Sequence, residues 1–446
     1  MKIGIYIFTR DLRIQDNKCL YDSIQENDII YPIFILTPEQ VKTNPYINKR
    51  AINFMCQSLK ELSKNINICF FEGKTISILE KIIKDKKIDN IYINGDVSPF
   101  AMKRENDIEN FCKENNIIFH KGLDVFFCRS TLLLRINNKP YLKFTPFYNN
   151  AIQYTKKETI CPTPNLKKVK EYHKNTEHIL DKYIFNDSDS VYKAGRKAGK
   201  YALEIFCKKV NNYARDRDLP IKNGNSHLAA YLHFGVLSPT EIALATKNTD
   251  FIRQLIWREF YLYINKYTHL DYSKLSHTMP KRNKLKWKSS SVNFKKWCDG
   301  KTGCPIVDAG MRELNKTGYM HNRLRMIVAM YLIFYLQLDW RLGEKYFAQN
   351  LCDYDYSNNL GGWMWCASWE SWSNDYFRVF AMPSQMKRYD HDAEYVKKWI
   401  PELNEIPARD LYDWSSNYKK YPNIKYVKPI SQDLNIERKE GISLYK

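Results

Sequence analysis

Residues 353–365 read DYDYSNNLGGWMW. The stretch holds two carboxylates, Asp353 and Asp355, two adjacent amides, a glycine pair, and the indoles of Trp363 and Trp365. Carboxylates accept hydrogen bonds from N–H and O–H groups, and indoles offer broad stacking faces. A core helix does not carry unpartnered carboxylates, and a solvated loop has little use for two indoles. Together they suit a ligand that presents both donors and an extended aromatic surface. If 359–372 forms one helix, Asn359 and Trp363 share a face while Trp365, Trp369 and Trp372 line another. Gly361 and Gly362 let another group approach the backbone or permit a kink.

Three further stretches carry possible chemistry. In GYMHNRLRMIVAMYL, Met320, Leu324, Ile327, Val328 and Tyr331 recur at helical spacing and are expected to face the core. Asn322, Arg325, Met326 and Ala329 fall on a different face. A buried Arg325 needs an anion, for which Asp353, Asp355 or a phosphate would serve; taken alone, an ion pair joining two helices is the simpler account. RQLIWREFYLYI crowds Trp257, Arg258 and Tyr261 on one helix, which suits a nucleobase or a phosphate backbone, or equally an aromatic core helix with a snorkelling arginine. NGNSHLAAYLHFG has a Gly-Asn-Ser turn leading into a helix expected to begin near Ser226, a place for a pyrophosphate or a plain N-cap.

The elements that must position these residues can be read from the apolar pattern. KIGIYIF, IIYPIFIL, INICFF, NIYING and IIFHKG are strand-like, with the helical runs NKRAINFMCQSLKELSK and TISILEKIIKDKK between them. Such alternation predicts a parallel sheet with helices on both faces, whose ligands bind at the carboxyl ends of strands, here TRDLRIQDN and NGDVSPFAMKREND. No G-x-G-x-x-G and no Walker loop supports a dinucleotide or triphosphate there. The expected fold class is α/β plus all-α: an α/β domain over 1–125, a connector over 126–195 that includes the Pro- and Lys-rich KETICPTPNLKKVKEYHKNTEH, and a helical domain over 196–446.

Composition narrows the partners. The chain has 446 residues, with 44% hydrophobic and 27% charged, as in folded globular proteins of two or three domains. Seventy Lys and Arg against 49 Asp and Glu leave +21, alongside 10 Trp, 32 Tyr and 22 Phe. A basic field of that size draws polyanions, of which nucleic acid is the commonest in a cell. Eleven cysteines are scattered without a C-x-x-C pair, which excludes ribbon-type zinc and ferredoxin-like clusters; no metal site is expected. No signal-peptide flanks surround Met1–Phe8, and MIVAMYLIFYLQL is too short to span a bilayer. A reduced intracellular compartment is expected, cytoplasm and nucleus not being distinguished, with no membrane partner.

In this order the segments FTRDLRIQDN, WREFY, GKTGCPIVDAGMRELNKTGYMHNRLRM, DWRLGEKYFAQ, GGWMW and YFRVF closely resemble the photolyase/cryptochrome family, and most closely its class I cyclobutane pyrimidine dimer photolyases. The resemblance covers nearly the whole chain. It implies a Rossmann-like N-terminal domain and a helical domain that holds FAD, in an active state that is reduced and anionic. By motif, it implies that Tyr213, Asn225, Ser226 and Leu228 hold the FAD phosphates and nearby atoms, while Asn322, Arg325, Asp353, Asp355 and Asn359 surround isoalloxazine, ribose and adenine. Asn359 matches the position facing flavin N5. Trp363, Trp340 and Trp287 match a relay of indoles that photoreduces the flavin. Family members bind UV-damaged DNA and flip the lesion into a cavity beside FAD, a step for which photolyases are themselves a standard example. Photoexcited reduced FAD donates an electron, the crosslink splits and the electron returns. Trp257, Met326 and Trp365 match residues that pack on the dimer, and Arg217, Arg258, Arg323, Arg378 and Gln385 match the DNA-facing rim. Asp96, Pro99 and Arg104 lie where members bind a second, antenna chromophore, whose identity the loop does not give. A monomer is expected.

Several positions depart from the pattern. Gln254 stands where bacterial cyclobutane-dimer enzymes have a glutamate, as in (6-4) photolyases and cryptochromes; an amide cannot hold a proton for the thymine. Against a (6-4) activity, Asn322 and Met326 replace the histidine pair on which that chemistry depends. Ala229 replaces a serine of the phosphate loop, and Trp369 and Trp372 are added in CASWESWSNDYFRVFAMP, where packing is the expected role. The retained Asn359, and a chain that ends about where photolyases stop, favour repair over a signalling cryptochrome. The expected function is light-dependent splitting of cyclobutane dimers, with a (6-4) photolyase and a non-repairing cryptochrome as alternatives.

Overall fold

The computed structural model describes residues 1–128, 139–268 and 279–446; part of the expected connector, 129–138, lies outside them. All five strand-like runs form strands: β1 (Ile3–Ile7), β2 (Ile29–Leu36), β3 (Cys69–Glu72), β4 (Asn90–Asn94) and β5 (Ile118–Gly122). They pair in parallel in the order β3-β2-β1-β4-β5. Central β1 sets Ile5 opposite both Tyr31 and Ile91. Helices α1 (Lys18–Glu26), α2 (Lys49–Leu62), α3 (Thr75–Asp85) and α4 (Pro99–Glu114) make the crossovers. Because they cover both faces, the central strands read as unbroken Ile-rich runs rather than alternating ones. The chain builds outward from β1 to β3 and then returns to β4, so the sheet's switch point lies where β1 and β4 end. Asn17, Asn48 and Ser98 start α1, α2 and α4 by accepting a hydrogen bond from the third residue of each helix.

The stretch expected to be a connector carries a helix, α5 (Phe144–Thr155). Phe144, Phe147 and Ala151 are buried at i, i+3, i+7, a helical pattern that the neighbouring Pro- and Lys-rich segment obscured. This face packs on α6 (Thr249–Thr268), where Phe144 lies flat on Trp257 with ring centroids 3.6 Å apart.

The helical half is built on α6, α7 (Asn322–Met330), α8 (Trp340–Asn350) and α9 (Tyr356–Cys366). α7 runs on into a π-helical turn, Tyr331–Tyr335, and the apolar segment is buried from Ile327 onward; Met320, Leu324, Ile327, Val328 and Tyr331 are all buried as expected. Two expectations fail here. The helix placed over 359–372 stops at Cys366, and Ser368 follows in the left-handed region (φ +48°). Trp369 and Trp372 therefore leave the helix and do not share a face with Trp365. The helix expected near Ser226 begins instead at Ala229; the Ser226 hydroxyl accepts from the Leu228 amide three residues short of it.

The two halves share a core. Tyr6, Phe8, Phe34 and Phe54 of the sheet domain pack in one cluster with Phe206, Tyr231, Phe234 and Leu237. At the junction Gly235 has φ +62°, and a Cβ there would sit 2.0 Å from the Arg10 carbonyl oxygen. Only glycine permits both the conformation and the approach. The Leu12 amide donates to the Phe234 carbonyl at 3.1 Å, and Arg13 donates to that of Gly235 at 3.0 Å, so the loop after β1 is anchored in the helical half.

Candidate functional site

A cavity of about 540 Å³ opens among α6, α7, α9 and the 213–233 segment. The face of α7 that sequence periodicity set apart supplies Asn322, Arg325, Met326 and Ala329, and all four line it. α6 contributes Gln254, Trp257, Arg258 and Tyr261; the segment before it contributes Tyr213, Arg217, Asn225 and Ser226; Asp353, Asp355, Asn359, Trp363 and Trp365 complete the far side, and Arg323 is also in the wall. Gly362 faces open space, whereas at Gly361 the close neighbour is Tyr261, a residue of the chain itself.

The two carboxylates of the opening motif have different partners. Asp353 binds Arg325 at 2.8 Å and accepts from Tyr192 at 3.1 Å. Burial opposes the Arg325 charge, yet Asp353 overcomes this and raises its pKa. Asp355 instead meets Arg10, from the loop after β1, which is held in turn by Asp96 at 3.0 Å; His233 lies 3.6 Å from the same carboxylate. Burial works against the Asp355 charge, and Arg10 with His233 more than offsets it, holding the carboxyl well below its ordinary range. Asp355 also caps α9, accepting from the Asn358 amide at 2.9 Å.

Asn359 is oriented from behind. Its side-chain nitrogen donates to the backbone oxygen of Glu344 at 3.2 Å and to the Glu344 carboxyl at 3.0 Å. A backbone carbonyl can only accept, so the Asn359 oxygen is left for the cavity. Burial pushes the Glu344 carboxyl up to about 7, against hydrogen bonds from Asn359, Tyr46 and Tyr354.

The three indoles that the motifs match to a relay are placed on or beside α8 and α9. Trp363 lines the cavity and crosses α8 at Gly343, where a Cβ would sit 2.1 Å from its ring. Trp340 is one helical turn away on α8, fully buried. The Lys288 amide donates to the Gln337 carbonyl at 2.8 Å, which brings half-buried Trp287 beside the start of α8.

Other expected residues stand apart from the cavity. Leu228 is wholly buried and absent from the wall, because the turn points it into the shared core. Arg378 is exposed, with its guanidinium over Phe377, and Gln385 is half-buried; neither reaches the cavity. Arg258 lines the wall but donates to the Val125 carbonyl at 3.1 Å, turned toward the α/β half rather than an outer rim.

A second cavity, of about 550 Å³, lies at the carboxyl ends of β1 and β2 against α8. Phe34, Ile47, Met55 and Phe100 make it largely apolar, and Asp96, Pro99 and Arg104 are in its wall, as are Trp340 and Glu344.

Comparison with known proteins follows this geometry closely. The family description "DNA photolyase" matches residues 4–165, and "FAD binding domain of DNA photolyase" matches residues 251–446. The deoxyribodipyrimidine photo-lyase of Buchnera aphidicola is 30% identical, over 100% of this chain and 97% of that protein. That of Escherichia coli is 29% identical, over 97% and 95%. The chain belongs to the DNA photolyase family. Among solved structures, the Sulfolobus tokodaii photolyase, which holds two FAD molecules, superposes with a TM-score of 0.88 at 32% identity, covering 99% of each chain. The class III photolyase of Agrobacterium tumefaciens gives 0.87 at 25%, covering 100% of this chain and 97% of its own. These findings bear out the family and fold class expected from the motifs and the FAD-binding character of the helical half.

Motif reasoning missed the photolyase-fold residues that act across long separations: Arg10 and His233 on Asp355, Glu344 behind Asn359, and Tyr319, which accepts from Asn225 at 3.0 Å. Arg10 lay in the loop already singled out at the end of β1, so its position was visible but its partner was not.

Proposed function

We propose that this photolyase splits cyclobutane pyrimidine dimers in DNA, using FAD held in the helical cavity. The carrying observation is that Asn322 and Met326 line the cavity with Asn359, Trp257 and Trp365, at the two positions where (6-4) chemistry needs a histidine acid, while the one histidine of the described wall, His233, is turned to Asp355 at 3.6 Å. The donor set also suits FAD. Arg325, already paired with Asp353, and Asn225 and Ser226 offer polar contacts for a pyrophosphate and sugar. The Asn359 oxygen accepts from a ring N–H without adding charge, and Asp355, held ionised, accepts from adenine or ribose donors. When bound, the flavin supplies the light-driven one-electron chemistry. The protein's part is to hold it, to exclude water with Trp363 and Tyr261, and to give the flipped lesion a stacking face on Trp257 and Trp365.

Gln254 lines the same wall, and its side-chain nitrogen is 3.4 Å from the Asp250 carbonyl of its own helix. A swing of that side chain into the cavity lets its amide donate to a thymine oxygen. The relay reading assigns reduction of the flavin to Trp363, Trp340 and Trp287 in that order. The second cavity is proposed to take an antenna chromophore of flat aromatic character, in keeping with Phe100 at its wall and with the second FAD of the S. tokodaii protein.

Oligonucleotides carrying a cyclobutane dimer or a (6-4) photoproduct, treated in parallel under blue light and in darkness, test the reading. Restoration of the first alone, and only in light, is the expected result. Restoration of the (6-4) substrate, or of neither, overturns it.

A further inference from the structure

Trp369 has no place in the roles above, yet its surroundings give it one. Once the chain leaves α9 through the left-handed Ser368, Trp369 turns back onto α8. Its ring lies 5.6 Å from that of Trp340, centroid to centroid, at 60°. Both indoles are buried, 3% and 1% exposed. The Arg341 guanidinium covers the two together, 5.1 Å from the Trp340 ring and 4.6 Å from that of Trp369. Its charge is offset by Asp339 at 3.0 Å.

We propose that Trp369 is a side donor to the indole relay, supplying an electron to oxidised Trp340 in competition with Trp287. The inference rests on the relay reading and extends it by one branch. In the step, one electron leaves the Trp369 indole and fills the vacancy on the Trp340 radical cation. Trp340 returns to a closed shell, Trp369 becomes the radical cation, and no bond forms or breaks. A thiolate in solution gives one electron to the Trp369 radical cation and is left as a thiyl radical, or the electron returns along the same path.

Three features carry the argument. The rings are direct neighbours, tilted at 60° with centroids 5.6 Å apart, so the electron crosses no intervening group. Donor and acceptor are the same side chain, and Arg341 bears on both at similar distances, so its field favours neither strongly. The nearest competing aromatic at the far end of the relay is poorly suited. Tyr445 lies 6.4 Å from Trp287, but its hydroxyl is buried without a hydrogen-bond partner. A phenol must release its proton on oxidation, whereas an indole can carry the positive charge with its N–H in place.

Light-driven reduction of the flavin in holoenzyme, with a thiol as final reductant, is compared for wild type, Trp340→Phe, Trp287→Phe, Trp369→Phe and the Trp287→Phe/Trp369→Phe double variant. Transient absorption of the indole radical provides a second readout, and the thermal midpoint reports packing. Trp287→Phe should keep part of the wild-type photoreduction, and the double variant should fall to the Trp340→Phe level. If Trp287→Phe alone falls that far, or the double variant matches Trp287→Phe, the branch is overturned while the relay stands. A lowered thermal midpoint for Trp369→Phe with unchanged radical kinetics in both backgrounds assigns Trp369 to packing and also overturns the branch. If Trp340→Phe photoreduces like wild type, the relay fails and the branch with it.

Discussion

The cavity in the helical half and the cavity at the sheet's carboxyl edge have nearly the same volume, about 540 and 550 Å³, and share His233 and Tyr354 in their walls. They differ in how charge is arranged. In the helical cavity, charged groups are already paired before any ligand arrives: Arg325 with Asp353, and Arg323 with Asp218 at 2.9 Å. The sheet-edge cavity has one such pair, Arg10 with Asp96 at 3.0 Å; much of the rest of its wall is Ile, Phe and Met, and Arg104 keeps a buried Nε without a hydrogen-bond partner. Paired charges fix one another's positions, so the first site is preorganised for a particular pattern of donors and acceptors. Adaptable apolar walls accept a shape more than a pattern. This explains why the motifs specify FAD in one half of the molecule and leave the second chromophore open.

The largest expected effect comes from breaking that pairing. Arg325→Ala leaves the Asp353 carboxylate buried with only Tyr192 beside it, a change that costs about 3–5 kcal/mol for such pairs. The purified variant should carry little flavin, read as the ratio of flavin to protein absorbance. Phe100→Ala, in the other cavity, should keep the flavin of the helical site and weaken only a second chromophore. Equal loss of flavin in both variants would show that the two cavities do not act as separate sites.

Glu344 sharpens the comparison because it belongs to both sites, lining one cavity and holding Asn359 in the other. Its carboxyl rises from 4.5 in the unfolded chain to about 7 in the fold, with burial as the first cause. Between those values the native state binds the extra proton, so the group's contribution to stability falls as pH rises through that window and is level above it. At 1.36 kcal/mol per unit the span is roughly 3 kcal/mol. Glu344→Gln, which stays neutral, should therefore gain stability relative to wild type at pH 8 compared with pH 5, measured by urea midpoints. An unchanged difference between the two pH values would remove Glu344 from its shared role.

What could be read from the sequence divides along the same physical line. The α7 face of Asn322, Arg325, Met326 and Ala329 was legible because helical periodicity is local, and all five strands were legible because their apolar runs are continuous. The α9 motif correctly implied paired carboxylates, but not that Asp355 would take Arg10, which lies 345 residues away. Trp369 was misplaced because a left-handed Ser368 ends the helix where no glycine or proline marks the stop. The side chain of Leu228 faces the core and not the cavity because a motif names a segment, while burial decides which of its side chains face inward.

The smallest effect separates the mouth of the helical cavity from the surface beyond it. Arg323 lines the cavity with its charge offset by Asp218 and its guanidinium over Tyr389 at 4.4 Å, whereas Arg378 is exposed and carries no ion pair among the described residues. An arginine that neutralises a DNA phosphate releases condensed counterions, and each such contact contributes about −0.9 to the slope of log affinity against log salt. Arg378→Ala should weaken binding to damaged and undamaged duplexes alike and flatten that slope by about one contact. Arg323→Ala should change the slope less, because removing it also frees Asp218, while lowering the preference for damaged over undamaged DNA. Binding titrations of both variants across a salt series distinguish the two. If Arg323→Ala flattens the slope as much as Arg378→Ala and leaves lesion preference intact, the paired charge at the cavity mouth acts as an ordinary phosphate contact, and the division between preorganised interior and electrostatic exterior fails at this residue.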